Sequence, residues 1–135
     1  MKIHTETIQV NTKASQSFED IGPKIREALE KSGIKEGRVT LFVPHTTAAV
    51  TINENADPDV VTDMLLGLDK AFPDRREFKH MEGNSHAHLK SSAVGVDQTI
   101  LVSNGSMLLG TWQGLFFCEF DGPRNRKLHI RITGE

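Results

Sequence analysis

The order in which structure-forming signals follow one another constrains this chain more than any single motif. A strand signal comes first, then a helix, two strands, a second helix, a polar stretch, and a closing run of strands separated by turn residues. A parallel sheet demands strands and helices in regular alternation, because each parallel neighbour needs a crossover. The interrupted order here predicts an α+β fold. At 135 residues the chain has no room for two independent cores, so residues 1–135 are expected to form one domain.

Residues 2–11 read as a strand in which Ile3, Thr5 and Thr7 share one parity and Ile8 and Val10 the other, so a bulge or bend is expected. Phe18, Ile21, Ile25, Ala28 and Leu29 fall at helical spacing. Ser17 with Asp20 is a candidate cap for that helix, Gly33 its terminator, and Pro23 sets the regular start near Gly22. Residues 38–44 carry the β-branched apolar run of a buried strand, and residues 48–53 form a second strand. Asp57-Pro58 joins a capping residue to a proline at the first helical position, and Val60, Val61, Met64, Leu65 and Leu68 supply that helix's apolar face. After a turn-rich stretch at 73–85, residues 87–94 predict a short helix. Strands are expected at 98–102, 106–109, 115–120 and 128–132. Asn104-Gly105 makes the first hairpin, and Asp121-Gly122-Pro123 joins the last two strands.

Several function classes fall away on composition. With 37% hydrophobic and 25% charged residues, the chain is too apolar for disorder and too polar for a membrane protein. No apolar run approaches the ~20 residues that a bilayer requires, and the opening MKIHTETIQV lacks a signal-peptide layout. Cys118 is the sole cysteine, so a reducing, cytoplasmic location is expected. A net charge of −2 with dispersed Lys and Arg argues against nucleic acid as a partner. The cations of residues 123–127 read as a solvated turn, or at most a small anion clamp. Neither common nucleotide-binding glycine motif occurs.

The chemistry concentrates in three places. His45-Thr46-Thr47 follows a buried strand at its C-terminal end, where sites on open sheets form, and Asn53-Glu54-Asn55 with Asp57 follows the next strand. So many polar side chains are expected to line a wet pocket, although Asp57 by itself reads as a helix cap. The second cluster spans residues 80–88. His86 and His88 share a face only if the backbone is extended; if a helix begins near Ser85, at most one of them joins His80. His45, His80 and His88 match the three-ligand pattern of an open zinc site, which makes a divalent ion, zinc first, the candidate cofactor. His4 and His129 read as surface residues. The third place is Gly110-Thr111-Trp112-Gln113-Gly114, where Trp112 either plugs the core, the favoured reading, or walls a flat heterocycle. Cys118 reads as an inert core thiol, with Glu119 facing the other side of the sheet.

Taken together, residues 45–49 and 51–58, His80, residues 82–84 and 87–90, Gly110-Thr111-Trp112-Gln113-Gly114 and residues 118–124 resemble the YjbQ-like family, whose members often carry the name secondary thiamine-phosphate synthase. His86 stands outside that shared set. The resemblance spans nearly the whole chain. It implies packed mixed or antiparallel sheets with two main helices, a homotrimer, and a polar histidine pocket. It also implies a reaction joining a hydroxymethylpyrimidine diphosphate to a thiazole phosphate, with Lys90, Arg124 or a metal on the departing diphosphate. A dedicated diphosphate-aspartate motif is absent. The expected function is therefore a small-molecule enzyme acting on a phosphorylated or anionic metabolite. His45, Glu54 and His88 are its acid–base candidates. Thr46, Asn53, Asp57, Asn84, Lys90, Trp112, Gln113 and Arg124 are its substrate contacts. The alternative is a trimeric, non-catalytic module that binds a metabolite or metal.

Overall fold

In the computed structural model, which describes Met1–Glu135, two antiparallel sheets and three helices form. The larger sheet is ordered β1 (Lys2–Asn11), β8 (Asn125–Gly134), β3 (Gly37–Phe42), β5 (Asp97–Ser103) and β6 (Ser106–Met107). The smaller is ordered β2 (Ser17–Asp20), β7 (Gln113–Glu119) and β4 (Ala48–Glu54). The helices are α1 (Gly22–Ser32), α2 (Pro58–Ala71) and α3 (Ser85–Val94). No helix is long and apolar enough to cross a membrane.

Period-two alternation divides the interior into two cores. Leu115 and Phe117 of β7 join Val39, Leu41, Ile100, Leu128, Ile130 and Ile132 of the larger sheet, with Ile25, Ala28 and Leu29 of α1. Phe116, Cys118 and Phe120 turn the other way, onto Ala49, Ala87 of α3 and the half-buried Val61, Leu65 and Leu68 of α2. Full burial of one such aliphatic or aromatic side chain stabilises the fold by about 1.5–3 kcal/mol. The expected polar break at Asn104-Gly105 is the β5–β6 turn, with φ of 52° and 76° at the two residues, and Gly33 ends α1 at φ 67°.

Two expectations are corrected. β1 carries no bulge: it pairs with β8 without a break from Lys2↔Gly134 to Asn11↔Asn125. His4 and Glu6 bond each other at 2.7 Å, which lets polar residues share the more buried parity with Ile8 and Val10 while Ile3 stays exposed. Ser17 and Asp20 do not form a capping pair across a helical turn. Residues 17–20 are β2 and pair with β7 from Ser17↔Glu119 to Asp20↔Phe116. A long-range strand partner outweighs a weak local cap, and Phe18 packs on Phe116 with ring centroids 5.8 Å apart.

The topology has one consequence for function. The chain passes between the two sheets six times, and three of those passages, after β1, after β3 and after β7, lie side by side. Hydrogen bonds bind the three crossing segments together: Thr12 N–H to Arg124 O at 2.9 Å and Phe120 N–H to Thr47 O at 3.1 Å. A polar cavity forms where these crossings meet.

Candidate functional site

The His45-Thr46-Thr47 segment is the β3-to-β4 crossing. The β3–β8 ladder runs out at Phe42↔His129, and the next available N–H of β8, that of Lys127, donates to His45 Nε2 at 2.9 Å. That bond fixes the imidazole and its tautomer, placing the proton of the neutral ring on Nδ1. Burial, assisted by the nearby Arg126 charge, lowers the His45 pKa below its ordinary value of 6.5.

Beneath this segment lies a buried polar network. Arg126 donates to Glu119 through Nε at 2.8 Å and Nη2 at 2.5 Å, and Nη2 also reaches Thr47 Oγ1 at 2.8 Å. Glu119 further accepts from the Thr12 hydroxyl at 2.7 Å and from Asp121 N–H at 3.0 Å. Burial pushes the Glu119 carboxyl up, but Arg126 and the other donors outweigh it and hold the pKa below the usual value. The network ties all three crossings together and leaves Nη1 of Arg126 unengaged.

The opposite wall comes from the helical half of the chain. α3 begins at Ser85, so His86 and His88 diverge, as the spacing rule predicts. His88 meets His80 edge to face at 84°, with ring centroids 5.6 Å apart. His86 points away, its buried Nδ1 without a hydrogen bond and 3.7 Å from Asp74. Asn84 pins the 72–84 loop to the β7–β8 crossing by donating to Asp121 at 2.7 Å and Glu82 at 3.0 Å. Arg124 bonds Asp121 at 2.8 Å and approaches Glu82 at 3.4 Å. Burial raises the Asp121 pKa, but the Asn84 and Arg124 bonds prevail and lower it overall.

The result is a cavity of about 380 Å³ with no hydrophobic residue in its lining. It brings together His45, Thr46, His80, Asn84, His88 and Arg124 from the sequence expectation. Thr47, Glu82 and Arg126 also line it; the sequence places the first two in its polar clusters and Arg126 among the cations of 123–127, without naming any of them a site residue. The signal for Arg126 was its parity: it alternates inward with Leu128, Ile130 and Ile132, so it is buried while Pro123, Arg124, Asn125 and Lys127 stay exposed as expected of a solvated segment.

The remaining candidates lie elsewhere in the chain. Asn53 and Glu54 end β4, where they oppose Gly114 and Gln113, and Glu54 lies about 20 Å along the strand from Ala48, at the end nearer His45, at ~3.3 Å per residue. Asp57 caps α2 by accepting Asp59 N–H at 2.9 Å. Gln113 accepts from Gly110 N–H at 2.8 Å. Trp112 is 62% exposed on this far loop, so it does not plug the core. Lys90 shares the buried α3 face with Ala87 and Val94. Its ammonium bonds Asp69 of α2 and, at 2.8 Å, Gln16, which takes it out of the cavity. No three His, Cys, Asp or Glu side chains stand together as a metal-ligating group. With His45 Nε2 committed to Lys127, a zinc ion on His45, His80 and His88 does not fit the side chains as placed. Cys118 is fully buried and its thiol pKa is raised by that burial, as an inert core residue requires.

A family model described as UPF0047 protein YjbQ-like matches residues 6–135. This chain belongs to that family. The YjbQ-like chain is 48% identical to the UPF0047 protein YugU of Bacillus subtilis over 96% of its own length and 98% of the relative's. A UPF0047 protein of Methanocaldococcus jannaschii is 50% identical, over 94% and 92% of the two lengths. The same architecture recurs in a crystal structure of an uncharacterised YjbQ/UPF0047 protein from Clostridium acetobutylicum, at 49% identity and TM-score 0.93, covering 95% of this chain and 99% of that one. A YbjQ-like protein of unknown function from Sulfolobus solfataricus superposes with TM-score 0.95 at 35% identity, covering 99% of both chains.

Proposed function

We propose that this YjbQ-like protein is a small-molecule enzyme whose cavity takes a phosphorylated or otherwise anionic metabolite. The observation supporting this is the lining: three imidazoles, two guanidiniums and threonine hydroxyls, against the single carboxylate of Glu82, around one concavity. Arg126 offers Nη1, Arg124 the unpaired edge of its guanidinium, His45 its Nδ1–H and Thr46 its hydroxyl. Two guanidiniums with neutral N–H and O–H donors lining one cavity suit a phosphate or carboxylate. His88, with His80 edge-on to it, is the group placed to give or take a proton. Transfer of a hydroxymethylpyrimidine group from its diphosphate to a thiazole phosphate is the finer form of this proposal, in which those donors stabilise the departing diphosphate. A homotrimer is proposed with it, and a stable monomer by light scattering would remove that part.

The test is a titration with inorganic phosphate followed by amide and imidazole NMR, with elemental analysis of the same sample. Saturable shifts at His45, Thr46 and His88 are expected, and Arg124→Ala should weaken binding by about tenfold, equivalent to ~1.4 kcal/mol. His88→Ala should stay folded and lose turnover of phosphate esters. An absence of shifts in the wild type refutes the anion reading. Stoichiometric zinc, lost in folded His80→Ala and His88→Ala proteins, would bring the metal form back. A ligand bound tightly and recovered unchanged would favour a non-catalytic module.

A further inference from the structure

A second cavity adjoins the polar one. A concavity of about 500 Å³ shares His45, Thr46 and His88 with the first and continues along α3 over Ser92, Gly95 and Val96 to Asp97 at the start of β5. Each volume alone exceeds the roughly 300 Å³ at which small-ligand clefts begin. His88, Ser92 and Gly95 stand four and three residues apart, so one stripe of α3 and its C-terminal cap faces both lobes.

The two lobes differ in chemistry. The first holds Arg124 and Arg126 with one carboxylate, Glu82, already beside Arg124; the second holds no Lys or Arg, and its one Asp or Glu is Asp97. Most other polar groups of the second lobe are spent within the protein. Ser91 donates to Ala48 O at 2.7 Å, Gly95 O accepts Val50 N–H at 3.1 Å, and Val96 O accepts Val43 N–H at 2.8 Å. The exposed Ser92 hydroxyl and Asp97 carboxylate remain for a ligand. A Cβ built at Gly95 meets nothing within 4 Å, so the wall there is open. A carboxylate beside a hydroxyl accepts hydrogen bonds and repels a second anion.

We infer that the ligand is bipartite, a phosphate monoester of a hydroxyl-bearing body. Its phosphate lies in the arginine lobe, its hydroxyls lie against Ser92 and Asp97, and the junction lies over His45, Thr46 and His88. This rests on the anion reading of the first lobe and deepens it by fixing what is attached to the anion. It excludes diphosphates that would place charge in both lobes.

Calorimetric titration of the intact protein with inorganic phosphate and with ribose 5-phosphate separates the two claims. The wild type should bind the ester at least about tenfold more tightly than phosphate, a gain of the size that a few new hydrogen bonds supply. Ser92→Trp, which fills the second lobe from an exposed helical position, should bring that ratio to about one while circular dichroism shows a native fold. Asp97→Asn should reduce the ratio without filling space. A ratio near one in the wild type, or a ratio that survives Ser92→Trp, overturns the bipartite ligand while phosphate binding stands. No binding of inorganic phosphate to the wild type overturns the anion reading itself.

Discussion

Replacing Glu119 by glutamine tests the buried network beneath the site. Each carboxylate oxygen accepts two donors: Oε1 those of Thr12 and Arg126 Nε, Oε2 those of Arg126 Nη2 and Asp121 N–H. A glutamine amide puts its NH₂ against an Arg126 N–H in either orientation, so no flip relieves it. The Arg126 guanidinium, 4% exposed, is then left without a countercharge. Breaking a buried pair from one side costs about 3–5 kcal/mol. An unfolding entropy of ~2.1 cal/mol/K per residue gives a chain of this size about 0.28 kcal/mol/K, so Tm should fall by roughly 10–18 °C. Urea and thermal unfolding at pH 7 and one fixed protein concentration measure it. Glu119→Leu with Arg126→Met should recover most of the loss, because paired removal leaves no orphaned charge. The reasoning is refuted if Glu119→Gln unfolds within about 1 kcal/mol of the wild type, or if the double variant is the less stable of the two.

Other outcomes follow from single contacts. Long-range ¹H–¹⁵N spectra should show His45 as the Nδ1–H tautomer, still neutral below pH 6.5; a protonated ring at that pH would contradict its burial beside Arg126. Stability should fall on acidification, because groups with lowered folded pKa values leave the unfolded chain to take up protons first. The loss begins near 6.5 with His45 and deepens below 4.5 and 3.8 as Glu119 and Asp121 protonate in the unfolded chain, so a urea midpoint flat from pH 7 to 3 would count against it. Asp57→Ala should cost about 1 kcal/mol by removing the α2 cap, with no effect on phosphate binding. Cys118 should resist a thiol reagent in the native protein and react only on unfolding; rapid native labelling would contradict its complete burial.

The residues that declare their own local geometry were legible in the chain. Asp57-Pro58 starts a helix and Asn104-Gly105 turns a hairpin because cap and turn chemistry act over a few bonds. The divergence of His86 from His88 followed from helical spacing alone, and Cys118 and Glu119 fell on opposite faces by strand alternation. Tertiary structure decided which of these groups meet. Nothing local to Ser17 and Asp20 reveals the β7 edge that draws them into a strand. Glu54 and His45 flank the same strand, and only its extension keeps them at opposite ends. Lys90 and His88 are two residues apart, yet the helix turns one onto Asp69 and the other into the cavity. Arg126 joined the site because three of the crossings between sheets converge there, and that convergence depends on strand pairings far apart in sequence, such as Asn11 with Asn125. Local signals fix elements because their energies are settled within a turn or two of chain. The site arises from contacts between distant segments, which only the packed sheets bring within reach.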